Sequence, residues 1–196
     1  MIYILWIISI PLKLEKNCLE YLRDIGYQVG TGVMIGLPNQ TEEDLVNDIL
    51  FYKDMNIDMI GMGPYILHKD TPLGQEWKDI VVSEEKRVEL GLKMIAITRI
   101  FLKDVNIAAT TALQGLDPQG REKGLLAGAN ILMPTATALE HKNKYLLYDN
   151  KPGINDSVEK AKEIMDNNVK AIGDEIVYGE WGDSLHFKKK NSFFSK

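Results

Sequence analysis

The chain of 196 residues carries one cysteine, Cys18. A single thiol cannot form an internal disulfide. Nor can it supply the several thiolates of a self-contained zinc or iron–sulfur site. Positive charge is also short: 23 Lys and Arg against 28 Asp and Glu leave a formal net charge of -5. That argues against the broad cationic face that a nucleic-acid backbone requires. No apolar run reaches the ~20 residues of a membrane span. The opening MIYILWIISIP has no basic start and no small-residue cleavage site, so it does not read as a signal peptide. Two readings of it stand: a buried strand, or a start foreign to the rest of the chain. A cytoplasmic protein without membrane or nucleic-acid partners is expected. Three signatures are missing as well: GxGxxG between a strand and a helix, the phosphate loop GxxxxGKS/T, and the nucleophile elbow GxSxG. The histidines, His68, His141 and His186, therefore have no triad to join. His141 and His186 read as surface residues. His68, in a loop after a strand, is the one with a functional alternative.

What remains is a chain that is 45% hydrophobic and 26% charged, enough apolar material for one packed globular domain or a large part of a bigger one. Strand-like and helix-like patterns alternate along it. Asn17 to Ile25 reads as the end of a helix stopped by Gly26, with Cys18, Leu22 and Ile25 on one face. Val29 to Leu37 is strand-like. Thr41 caps a helix with an acidic first turn and an inner face of Leu45, Ile49 and Tyr52. A second strand covers Ile57 to Ile66. Ser83 caps a long helix with Val88, Leu92, Ile95 and Arg99 on one stripe. Ile107 to Thr111 is a third strand, and Asp117-Pro118 opens a short helix closed by Gly128. Asn130 to Met133 is a fourth strand. Asp156 or Ser157 starts a last helix, with Val158, Ala161, Met165, Val169 and Ile172 facing in and Gly173 as its stop. The tail Lys188-Lys189-Lys190 reads as solvated charge.

Strands alternating with helices imply βα units and a parallel sheet. The glycines of GTGVMIG lie inside a strand, which disfavours a dinucleotide-binding sheet. The expected fold is α/β, a partial (β/α) TIM-type barrel comprising the C-terminal half, with about four parallel strands. Half a barrel leaves open strand edges, so self-association is expected. In parallel α/β folds chemistry gathers at the C-terminal ends of strands. The stretch Asn106 to Pro134 therefore draws attention: it puts Thr110-Thr111 just past one strand and Met133-Pro134 at the end of another.

Three ordered motifs carry a resemblance. GTGVMIGLPNQTEEDLVNDI and DMIGMGPYILHKDTPLG resemble the later barrel strands of radical SAM enzymes, in the form found in the HydE type of [FeFe]-hydrogenase maturase. IAATTALQGLDPQGREKGLLAGANILMP resembles the associated domain shared with biotin and thiamine-pathway synthases. The likeness runs from about Asn17 to Tyr148, with a weaker echo at Gly179 to Ser184. It implies three regions: residues 1–16 outside the family pattern, 17–148 as partial barrel with the associated region at about 106–148, and 149–196 as C-terminal helix and tail.

The resemblance implies S-adenosylmethionine and a 4Fe-4S cluster as cofactors, a small-molecule substrate, and radical chemistry. For the maturase type that substrate is a small cysteine-ligated iron species. It also implies Thr110 and Thr111 as hydrogen-bond donors to S-adenosylmethionine or a carboxylate, Met133 packing on adenosine or substrate, and Tyr145 offering its phenol to the barrel mouth. Arg121 is either an anion partner near its helix start or a surface ion-pair partner of Glu122 or a neighbour. The family's CxxxCxxC loop is not here, so this sequence offers no metal ligands. The expectation is the C-terminal part of such an enzyme, inactive alone, with its missing N-terminal half as a candidate partner. A related enzyme such as methylornithine synthase or biotin synthase, and a non-catalytic ligand- or partner-binding module, are the alternatives.

Overall fold

The computed structural model describes residues 12–142, 144, 152–153 and 155–192. Helix α1 (Leu12–Asp24) leads into strand β1 (Gly30–Ile35). Then follow α2 (Glu42–Asp54), β2 (Met59–Pro64), α3 (Pro72–Trp77), α4 (Glu84–Leu102) and β3 (Asn106–Ala109). Short helices α5 (Thr111–Leu116), α6 (Gly120–Leu126) and α7 (Leu139–Lys142) come next, then α8 (Val158–Ala171) and α9 (Leu185–Ser192). The three strands form one open parallel sheet in the order β1-β2-β3, with Gly30 level with Met59 and Met59 level with Asn106.

The helices start where their caps say. Thr41 and Asp44 form a reciprocal box: the Thr41 hydroxyl accepts from the Asp44 amide at 3.2 Å and the Asp44 carboxylate from the Thr41 amide at 2.9 Å. Those bonds hold the Asp44 carboxyl below its usual range. Ser83 and Ser157 accept from Lys86 and Lys160 in the same way. Thr71 caps α3, a helix the sequence pattern did not announce.

Side chains alternate across each strand. One face carries Ile35, Ile60, Met62, Ile107 and Ala109, all buried in the main core. Against this face α4 lies on β2 and β1, α2 on β1, and α6 on β3. Leu45, Ile49 and Tyr52 of α2 and Val88, Met94 and Ile95 of α4 complete the layer. The other face of β1 and β2 presents Gly30, Gly32, Met34, Gly61 and Gly63 and is less covered.

Two expectations change. The fourth strand is reduced to one parallel bridge between Ile131 and Ala108, supported by backbone bonds among Ile107, Ala109, Asn130 and Ile131. Pro134 has no amide to donate, and it restricts Met133 before it, so pairing stops there. Three strands and a bridge are present among the described residues, an open sheet compatible with part of a β/α fold. The third strand also ends earlier, at Ala109. Thr110 turns extended at ψ 154°, and Thr111 begins α5, because Leu113 drops into the core fully buried.

The N-terminal end of the sheet is closed by polar bonds. Asp58 accepts from the Val29 amide at 2.9 Å. Asn106 donates to the Gly182 carbonyl at 2.8 Å, and Asn130 donates to Asn106 at 2.9 Å. Here the reading of the tail as solvated is overturned. Lys190 Nζ lies 2.6 Å from Asp58 and Lys189 Nζ 2.7 Å from Asp104. His186, expected on the surface, is half-buried between Asp104 (3.2 Å) and Asn56 (2.6 Å). Carboxylates under the sheet attract the basic helix, a long-range pairing that local charge counting cannot reveal. His141 does stay exposed, beside Glu140.

Candidate functional site at the strand exits

The C-terminal ends of the strands carry two ordered loops and a buried hydroxyl. After β1, Gln40 reaches back so that its side-chain oxygen accepts from the Gly36 amide at 2.7 Å. Its nitrogen donates to the Met34 carbonyl at 3.1 Å. The LPNQ turn is thereby folded onto the strand it leaves. After β2, the Thr71 hydroxyl donates to the His68 carbonyl at 2.8 Å and accepts from Gly74 at 3.0 Å. His68 itself plays a structural part, since its Nδ1 accepts from the Asp70 amide at 3.2 Å. Tyr65 is buried, with its hydroxyl unpartnered, and burial raises its proton affinity above that of a free phenol.

Thr110 sits at the exit of β3, in the cap position of α5. Its hydroxyl makes no capping bond, and it is buried without a hydrogen-bond partner. Such a group costs roughly 1–3 kcal/mol when left unpaired, so its placement calls for an acceptor or donor. Gly63, on the neighbouring strand, makes the room: a Cβ there would stand 2.5 Å from Thr110 Oγ1. A Cβ added at Gly61, one step further back on the same face, would meet nothing within 4 Å. The exit face thus combines open space over backbone with a hydroxyl at its rim.

The expected site residues separate. Thr110 lies on this face. Thr111 is the first helical residue of α5 and only partly buried. Met133 is 51% exposed, and continuing the Ala108–Ile131 register sets it level with Thr110. Tyr145 lies outside the described residues. Arg121 lines a separate cavity of about 70 Å³ between α6 and α8, with Glu122 and Lys142. A wider hollow of about 590 Å³ opens at the opposite, N-terminal end of β3. Gly63 and Gln40 were missed by sequence reasoning. Gln40 had a signal, an amide side chain directly after a Pro-Asn turn; Gly63 had none beyond its place in a glycine-rich strand.

The donor set does not fit an iron–sulfur cluster. Among the described residues no three His, Cys, Asp or Glu side chains stand together as metal ligands, and Cys18 is exposed on α1. The exit face does fit a ligand with hydrogen-bonding groups, because Thr110 Oγ1 is unpaired and the glycines leave the backbone approachable. Among the described residues no helix is long and apolar enough to cross a membrane.

No family model matches the chain. The chain is 48% identical, over 135 residues, to the [FeFe] hydrogenase maturase subunit HydE of Thermotoga maritima. That alignment covers 69% of this chain and 37% of the relative, so the chain spans well under half of that protein's length. With the ordered strand-exit motifs in place, the chain is over that stretch a HydE-like member of the radical SAM family.

Proposed function

We propose that this chain forms the substrate-side wall of a HydE-like radical SAM barrel, with the cluster ligands supplied by residues outside it. The observation that carries this reading is the buried, unpartnered Thr110 hydroxyl on a glycine-lined strand-exit face. S-adenosylmethionine, if bound here, would supply the radical chemistry of this family, with the cluster held by residues outside this chain. This chain's own residues bind and orient. Thr110 Oγ1 donates to, or accepts from, a polar group of S-adenosylmethionine or substrate. The gap over Gly61 admits the ligand against backbone, and Gly63 leaves the room that the Thr110 side chain occupies beside it. Met133 offers a polarizable thioether at the rim. Tyr145 is proposed as a further donor at the same mouth. The ordered loops after β1 and β2 give this face a fixed border on which a ligand is oriented, the protein's usual part in cofactor chemistry. The substrate is proposed to be a small cysteine-ligated iron species used in hydrogenase active-site assembly.

Anaerobic incubation of the chain with iron, sulfide and S-adenosylmethionine tests this division of labour. Saturable S-adenosylmethionine binding without cluster absorbance and without cleavage is expected. A cluster that forms on the chain and turns over would refute it. Absence of any small-molecule binding would favour a partner-binding module, the reading that the single cysteine supports.

A further inference from the structure

Arg87 is a charged residue of α4 that is only 4% exposed. Its Nε donates to the Val82 carbonyl at 3.1 Å, and its Nη1 donates to the carbonyl of Tyr65, the first residue after β2. Glu84 stands 3.8 Å from Nη2. The stem of the same side chain lies against the exit of β1. Gly36 holds a left-handed φ of +80°, and a Cβ there would sit 2.5 Å from Arg87 Cγ. Each exit loop is bonded internally, by Gln40 in one and by Thr71 in the other. Arg87 touches both. A backbone bond from the Tyr65 amide to the Ile35 carbonyl, at 2.7 Å, runs in parallel with it. A guanidinium suits this bridging role because its planar fork donates in two directions while its apolar stem packs.

We infer that Arg87 is a positioning residue that fixes the spacing of the two strand-exit loops, Gly36 to Gln40 and Tyr65 to Thr71, at the same end of the sheet as the ligand-binding face. That this face binds a ligand rests on the function proposed above; the bridge between the loops does not. The sequence shows Arg87 only as one of several charges in the first turns of α4. Its stem and its head act on different loops. The stem fills the space that Gly36 vacates, and the head holds the Tyr65 carbonyl. Removing the head frees the second loop directly. It loosens the first because the stem, without the head's tether, is held less firmly against Gly36.

The test is rapid hydrogen exchange read by mass spectrometry on the full chain, comparing Arg87→Met and Arg87→Lys with the parent. Arg87→Met is expected to speed exchange about tenfold in both loops, the amides of Gly36, Leu37, Tyr65 and Thr71 included, while α2 amides hold. Arg87→Lys keeps the stem and one donor, so it is expected to restore most of the Gly36 loop and part of the Tyr65 loop. If Arg87→Met does not fold, Arg87→Lys decides alone: the Tyr65 loop must loosen more than α2. Change in one loop only, in neither, or evenly over the whole chain overturns the inference. Titration with S-adenosylmethionine separates the two levels. Binding by the parent that weakens in Arg87→Met supports the positioning role, and equal binding by both refutes it. Loops that loosen in Arg87→Met, together with a parent that binds nothing, leave the bridge standing and remove the proposed function.

Discussion

Replacing Arg99 by Met should cost this fold roughly 3 kcal/mol, the net worth of two charge-assisted hydrogen bonds. Arg99, near the end of α4, donates to four acceptors. Nε reaches the Gly128 carbonyl at 2.8 Å, and Nη1 reaches the carbonyls of Lys103 at 2.7 Å and Val105 at 2.8 Å. Nη2 reaches the Asn130 side chain at 2.9 Å. The bonds to Gly128 and Val105 are partly buried, and the other two are exposed. Water can replace the exposed pair, so they contribute little. The buried pair contribute about 1.5 kcal/mol each, the low end for bonds to a charged group, because the guanidinium is itself part-exposed. Met keeps the stem packing but leaves both carbonyls short of a donor. For a chain of this size the loss is a fall in melting temperature of roughly 6–12 °C. Urea unfolding followed by circular dichroism, with an unchanged m-value, measures it. Arg99→Lys should lose most of the same energy, since an ammonium cannot span Gly128 and Val105 together. A loss below about 0.5 kcal/mol in Arg99→Met would refute the idea that this fork staples α4 to the start of β3 and the end of α6.

Other perturbations have equally definite outcomes. Gly63→Ala puts a methyl where Thr110 Oγ1 stands; it should displace the hydroxyl and abolish ligand-dependent protection at the exit face while the far-ultraviolet spectrum is kept. Burial raises the Asp48 carboxyl to about 6 from 3.8. The folded state therefore holds a proton that the unfolded state releases between about pH 4 and 6. Stability should fall as pH rises through that window and flatten in Asp48→Asn, which pH-dependent urea melts would show. Burial alone would raise the Asp104 carboxyl, but Lys189 and His186 outweigh it and the net shift is downward. Its contribution is full above the unfolded value and should be lost as pH falls through the lower folded one. Lys190→Met leaves buried Asp58 facing no cation; it should release α9 to limited proteolysis, an effect that Asp58→Asn should reduce.

The elements with local causes were legible. Thr41, Ser83 and Ser157 announce helices by hydroxyls placed before acidic or amphipathic turns, and each does accept the expected amide. The strands β1, β2 and β3 follow from apolar runs between those helices. What failed was set by distant partners. Thr110-Thr111 favours a strand by composition, yet Leu113 needs the core under α4, so the chain coils into α5. The fourth strand looked as apolar as the third, but it pairs along a single step before Pro134 ends it. The basic tail looks solvated until Asp58 and Asp104, far away in sequence, are seen beneath the sheet. At the site, the place of Thr110 at a strand exit was readable because the apolar run from Ile107 ends there. Gly63 and Arg87 were not, since the meaning of each lies in the atom it faces across the fold.

The central claim is that the strand-exit face binds its ligand through Thr110, and calorimetric titration of S-adenosylmethionine into the chain and into Thr110→Val tests it most directly. Valine keeps the shape and removes the hydroxyl. Saturable binding by the parent, weakened about tenfold or more in Thr110→Val, is the expected result, the worth of one hydrogen bond to a charged or strongly polar group. Equal affinity in the two proteins, or no saturable binding in the parent, would contradict it.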